Sequence, residues 1–204
     1  MYNRKQIKLE AKQALREKWG VSIGVIIVVG LILTVSAYVP LATIILTGVF
    51  SVGLAIVMLE IVRGWKVEFG DAFKGFNNFG TNCLAGVLVT VFTALWSLLF
   101  VIPGIVKTYS YAMTFYILAD HPEMKPKDAI TASRIMMDGH KFDLFVLELS
   151  FFWWHLLGGL TFGLAYLYVS PYMAAAHAKF YDTIKDEKNL FPAAEETVGE
   201  ETTE

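Results

Sequence analysis

Ionisable side chains inside long apolar runs are costly and are therefore the first places to look for chemistry. Lys107 stands in such a run, with Tyr111 and Thr114 four and seven residues on, so that one helical face carries an amine and two hydroxyls. A lysine so placed could bind an anionic headgroup or solute, or titrate during transport. The simpler reading is that it snorkels to the outer interface beside Pro103-Gly104, or bonds carbonyls that the proline frees. Glu148 is the second intramembrane polar residue. Its depth is expected to differ from that of Lys107 by about 10 Å, so it should bond a neighbouring hydroxyl or stay protonated rather than pair with the lysine. His155 and His177 read as hydrogen-bonded packing residues.

Catalytic signatures are missing. The chain has no His-Glu-x-x-His, no Gly-x-Ser-x-Gly and no phosphate-binding glycine loop with Lys-Ser or Lys-Thr. The single cysteine, Cys83, excludes an intramolecular disulfide and reads as a small apolar residue. Asp138, His140 and Asp143 can be drawn as a metal site, but such triples are common in solvated linkers. The expectation is no catalytic residue, no cofactor and no metal. A net charge of -2 gives no general attraction to nucleic acid.

The elements that position these residues follow from composition. Of 204 residues 55% are hydrophobic and 18% charged, and the mean hydropathy is +0.52, above what a solvated domain tolerates. Three apolar blocks, near 21–62, 84–119 and 142–181, are each about 36 to 42 residues long and would extend roughly 54 to 63 Å as single helices, against a hydrocarbon core of about 30 Å. Each must cross twice. Pro40, Pro103-Gly104 and Gly158-Gly159 supply the fold points. The predicted fold is all-α: a polytopic bundle of six transmembrane helices as three hairpins, with short cytoplasmic interfacial helices. The domains are 1–18, a basic amphipathic helix; 19–182, the bundle, with spans near 20–39, 41–62, 83–102, 104–119, 142–158 and 160–181; and 183–204, an acidic tail expected to be disordered. Of the 17 lysines and arginines all but Lys107 fall on one side, which the positive-inside rule makes cytoplasmic, with both termini. Val35-Ser36-Ala37 has the form of a signal-peptidase site, but cleavage there would orphan half of the first hairpin, and the chain is expected to keep it.

The connectors carry amphipathic patterns. Ile7, Ala11, Ala14 and Leu15 make an apolar stripe on a basic helix that could lie on the anionic leaflet or serve as a topological cap. Phe69, Phe73, Phe76 and Phe79 suit an interfacial helix with rings at headgroup depth. Pro126 to Gly139 reads as a short cytoplasmic helix. Gly20 with Gly24 and Gly159 with Gly163 have the spacing that lets helix backbones approach. Tyr111 to Asp120 faintly echoes Tyr172 to Asp182, both leading back to the cytoplasm.

An ordered set of motifs completes the reading: Ile102 to Lys107, Tyr109 to Met113, Phe115 to Asp120, Ala129-Ile130, Ser133-Arg134, Met137 through Lys141, Leu149 to Phe151 with Trp154, Pro171-Tyr172 and Phe180-Tyr181. Together they resemble the bacterial integral membrane family known only as domain of unknown function 975, from the basic N-terminal helix to Tyr181. Phe151-Phe152-Trp153-Trp154 and Glu148 depart from its pattern. The resemblance implies a multi-helix protein of the bacterial plasma membrane and no particular activity. Its expected partners are the lipid bilayer and another membrane protein, served as a non-catalytic module or scaffold of the cell envelope. The alternatives are a small-solute or lipid permease with its site at Lys107, Tyr111 and Thr114, and, after it, an intramembrane enzyme with an unfamiliar site.

Overall fold

In hydrocarbon a backbone must satisfy its own hydrogen bonds, and apolar runs of this length do so as helices. The computed structural model describes residues 4–99, 101–161 and 163–188, and every regular element among them is helical. In chain order these are α1 (Arg4–Ala14), α2 (Trp19–Ser36), α3 (Pro40–Val62), a 3-10 helix (Phe69–Phe76), α4 (Phe79–Leu99), α5 (Val101–Tyr111), α6 (Thr114–Asp120), α7 (Pro126–Met136), α8 (Lys141–Leu149), α9 (Phe152–Leu160) and α10 (Tyr166–Lys188).

Among the described residues four segments are long and apolar enough to cross a membrane: Trp19–Ser36, Ala42–Val62, Phe79–Leu98 and Lys141–Leu160. The predicted fourth and sixth spans are not among them. The fourth is two helices, α5 and α6, broken at Ala112-Met113, and the sixth, α10, contains Pro171 and a charged last third. Two fold points also shift. Pro103 lies inside the first turn of α5, where its missing N–H costs nothing, so the second block turns before it. The third turns after Leu160, where Gly163 takes φ +92°, rather than at Gly158-Gly159. The chain stays helical through Lys188, which shortens the predicted tail from its start at 183; the acidic stretch beyond lies outside the described residues.

α3 is the mast. Half of its span is buried, against 17% for α2, 17% for α4 and 22% for Lys141–Leu160, and α2, α4, α6, α10 and the 3-10 helix all pack on it. Glycine permits the closest of these contacts. A Cβ on Gly48 would collide with the Asn82 carbonyl and with the backbone of Gly86, and one on Gly53 would strike the Ala72 carbonyl of the 3-10 helix. The spacings singled out in the sequence do not serve this purpose: Gly20 and Gly159 have open space, and Gly24 meets only the Phe69 ring. A glycine spacing marks what could approach, and the crossing point of the helices decides what does.

The amphipathic segments divide. The stripe of α1 is used inside the protein: Ile7, Ala11 and Leu15 are buried, and α1 packs on α10 and α3, which leaves that face unavailable to a leaflet. Lys8 donates to the Ser150 hydroxyl at 3.1 Å and sits 4.2 Å above the Phe151 ring. The phenylalanine row, by contrast, stays on the surface. Phe69, Phe73, Phe76 and Phe79 are each about two-fifths exposed; the Phe69 ring is tilted against Phe73, and Phe73, Phe76 and Phe79 stack in series.

α7 is more than a solvated linker. Its Ala129, Ile130, Ser133 and Met136 are buried, and the Ser133 hydroxyl donates to the Ser110 carbonyl at 2.9 Å while accepting the Met113 N–H at 3.2 Å. One side chain thus satisfies both backbone groups freed by the α5–α6 break. Replacing Gly48 by valine is expected to force α3 and α4 apart and to lower the melting temperature of the purified protein in detergent by several degrees. Gly80→Ala, at a position with open space, should leave it unchanged.

Candidate functional site

The open ends of the helix pairs are stitched at one face. Lys18, before α2, donates to the Trp65 carbonyl after α3. Asn78, before α4, donates to the Pro122 carbonyl after α6 at 2.9 Å. His140, before α8, lies 3.8 Å from Glu187 at the end of α10.

Between these stitches the return helices meet in an ionic knot. Arg63, the C-cap of α3, donates Nη1 and Nη2 to the two oxygens of Asp120 at 2.6 and 2.9 Å, and Nη2 and Nε to Asp182 Oδ1 at 2.6 and 3.2 Å. Asp120 ends α6 and Asp182 lies on α10. Lys185 and the Tyr181 hydroxyl add bonds to Asp120 Oδ2 at 2.7 and 3.0 Å. The groups are withdrawn from water: side-chain exposure is 19% for Arg63, 9% for Asp120 and 18% for Asp182. Burial alone would raise the Asp120 carboxyl, but the hydrogen bonds and charges of Arg63 and Lys185 outweigh it and hold it at about 2, below the ordinary 3.8. Burial works against the Arg63 charge in the same way, and its two carboxylates raise its pKa all the same. Sequence reading missed this cluster because its members stand 57 and 119 positions apart. The faint echo of Tyr111–Asp120 in Tyr172–Asp182 was the only signal that two helices bring a carboxylate to the same face.

The structure separates the residues of the anticipated polar stripe. Tyr111 is buried with its ring 6.3 Å from Phe92. Thr114 lies beyond the helix break, fully buried, its hydroxyl without a hydrogen-bond partner among the described residues. Lys107 instead lines a cavity of about 400 Å³ with Ser110, Thr131, Arg134, Ile135, Asp138 and Lys141, its ammonium 4.7 Å above the Trp96 ring. It is gathered with charges of the second connector rather than isolated near the outer surface. Glu148 accepts a 2.6 Å bond from the Tyr109 hydroxyl and lies 3.4 Å from His177 Nε2. His155 sits beside the Tyr166 ring at 5.8 Å.

A second cavity, about 350 Å³, opens between α3, the 3-10 helix and α6 and is lined by Glu60, Lys74, Asn77, Asn78 and Asn82. Lys74 bridges Glu60 and Asp71 at 3.0 and 2.9 Å, so its charge is already matched. Of the paper metal triple, His140 and Asp143 approach to 3.4 Å, and among the described residues no three His, Cys, Asp or Glu are grouped to hold an ion. Cys83 is half-buried and unbridged.

The chain matches the family described as protein of unknown function (DUF975), over residues 1–111 and 98–188. No curated protein and no solved structure matches.

Arg63→Met removes the shared partner of two buried carboxylates and is expected to cost about 3–5 kcal/mol, read as a lower melting temperature in detergent; adding Asp120→Asn and Asp182→Asn should restore much of it. The pH dependence has a definite sign. Asp120 is depressed in the folded state, so its contribution is present above pH 3.8 and is lost as pH falls through about 2. The wild-type melting temperature should fall across that window, and the Asp120→Asn variant should lose the part due to Asp120.

Proposed function

The chain belongs to the DUF975 family of proteins of unknown function, and we propose that it is a non-catalytic membrane module, threaded six times through the bilayer as three hairpins, that assists another component of the bacterial cell envelope. The six-pass thread is supported by the stitched face. Three return helices, α3, α6 and α10, end within one ionic knot, and each is tied to the start of its own hairpin partner. The part of α10 that precedes Asp182, residues 166–181, is about 24 Å long, at the short end of a crossing. Arg63, Lys74, Lys125, Lys127 and Lys185 accompany that face, which makes it and both termini cytoplasmic.

The scaffold role rests on how burial is distributed. The core closes around α3, while α2, α4 and the α8–α9 rod turn most of their apolar surface outward, with Leu98 87% and Trp153 72% exposed. Such a perimeter can face lipid or a partner helix, and the scaffold reading places protein against part of it; photocrosslinking separates the two. With benzoylphenylalanine at Leu98 and Trp153 in living cells, discrete protein adducts are expected, and none from buried Leu147. Lipid adducts alone from both outer positions would overturn the scaffold. A second reading, a small-solute or lipid permease, is favoured by the Lys107 cavity.

Topology has its own test. In a Cys83→Ser background, single cysteines at Asn3 and Gly199 should react with an impermeant thiol reagent only after lysis; labelling in intact cells would reverse the orientation. Cysteines at Tyr111 and Thr114 are expected to stay silent in intact cells, and reaction at both would turn the reading to the permease.

A further inference from the structure

We infer that the cavity between α5, α7 and α8 is a binding site for the phosphate of an anionic phospholipid headgroup, held by Lys107, Arg134 and Lys141. This depends on the membrane reading but not on the scaffold role. The three cations line one cavity of about 400 Å³, a size typical of ligand sites. Among the described residues no carboxylate lies within ion-pair distance of any of them, although Asp138 shares the lining. The cavity therefore carries an excess of positive charge. Gathering like charges beside an apolar surface is unfavourable unless an anion joins them.

Arg63, Lys74, Lys179 and Lys185 each have a carboxylate within 3.0 Å. The lining hydroxyls do not compete for the role of donor, because Ser110 and Thr131 donate to the Val106 and Lys127 carbonyls. The donors open to a ligand are thus the three cations, a set suited to a phosphate with several acceptor oxygens. Ile135 belongs to the lining, and Ile105, Val106 and Phe142 beside the charged residues are exposed. That apolar margin would receive an acyl chain, which favours a lipid phosphate over a free one. A basic pocket between helices at the cytoplasmic face is the arrangement that recognises anionic lipid heads.

The test is titration of the purified full chain in detergent with short-chain phosphatidylglycerol, short-chain phosphatidylcholine and inorganic phosphate, read by thermal shift and native mass spectrometry. Phosphatidylglycerol should stabilise and remain bound, and phosphatidylcholine should not. Lys107→Gln with Arg134→Gln should weaken phosphatidylglycerol binding about tenfold or more, while Lys5→Gln with Lys12→Gln, the same charge removed from α1, should leave it unchanged. Should the double variant fold poorly, Lys141→Gln alone must still weaken binding. Equal binding of the two lipids, or equal loss in the α1 control, would overturn the site. Inorganic phosphate binding as tightly as phosphatidylglycerol would overturn the lipid assignment and support a soluble phosphate in the same cavity.

Discussion

One guanidinium is shared by two carboxylates that reach it from different helices, and the arrangement of the bundle depends on that sharing. Arg63 closes α3, Asp120 closes α6, and Asp182 comes from α10. A charge this far from water is tolerated only when paired and fully hydrogen-bonded. The five donors of arginine, in a fixed planar fork, hold both oxygens of Asp120 and Asp182 at the same time, more bonds than the three donors of a lysine could make. Because Arg63 and Asp120 lie at helix ends and Asp182 in the last third of α10, satisfying the charges also sets the relative heights of three helices. Apolar packing against α3 is tolerant of sliding; the knot is not.

The same logic explains why the N-terminal and connector helices are built into the bundle. α1 brings Glu10 to Lys179 at 2.9 Å and Lys8 to Ser150 and the Phe151 ring, so its polar face is used for docking. The 3-10 helix lies flush on α3 because glycine at Gly53 and Gly75 admits backbone at van der Waals range, and Lys74 then reaches Glu60. The exposed phenylalanines of that helix complete a belt beside the charged face.

Much of this architecture was legible in the sequence because it follows from length. Apolar blocks too long for one crossing have to turn, and Pro40 at the start of α3 and the helicity of every described element follow from that. What was not legible depends on pairing across the chain. Nothing local to Arg63 names Asp120 or Asp182. Nothing local to Ala112-Met113 reveals a break, since the side chain that makes it tolerable, Ser133, comes from α7. The polar stripe of Lys107, Tyr111 and Thr114 assumed an unbroken helix, and the break places Thr114 outside it. The bond predicted between Glu148 and a neighbouring hydroxyl required only a residue of the right type nearby, and Tyr109 supplies it.

α7 links the two polar centres. It follows Asp120 by a short connection, its Ser133 closes the α5–α6 break, and the adjacent Arg134 lines the cavity with Lys107. Ser133 and Arg134 are consecutive on a rigid helical turn, so a displacement that carries Arg134 toward or away from the cavity also carries the hydroxyl that bridges Ser110 and Met113. A buried N–H left without that hydroxyl costs about 1–3 kcal/mol, comparable to the worth of one charge-assisted bond in the cavity. With an anion bound in the cavity, the position of α7 would be set by two interactions of similar size, one on the backbone of a broken helix and one on the charges beside it. A change in either is felt at the other through a single turn of helix.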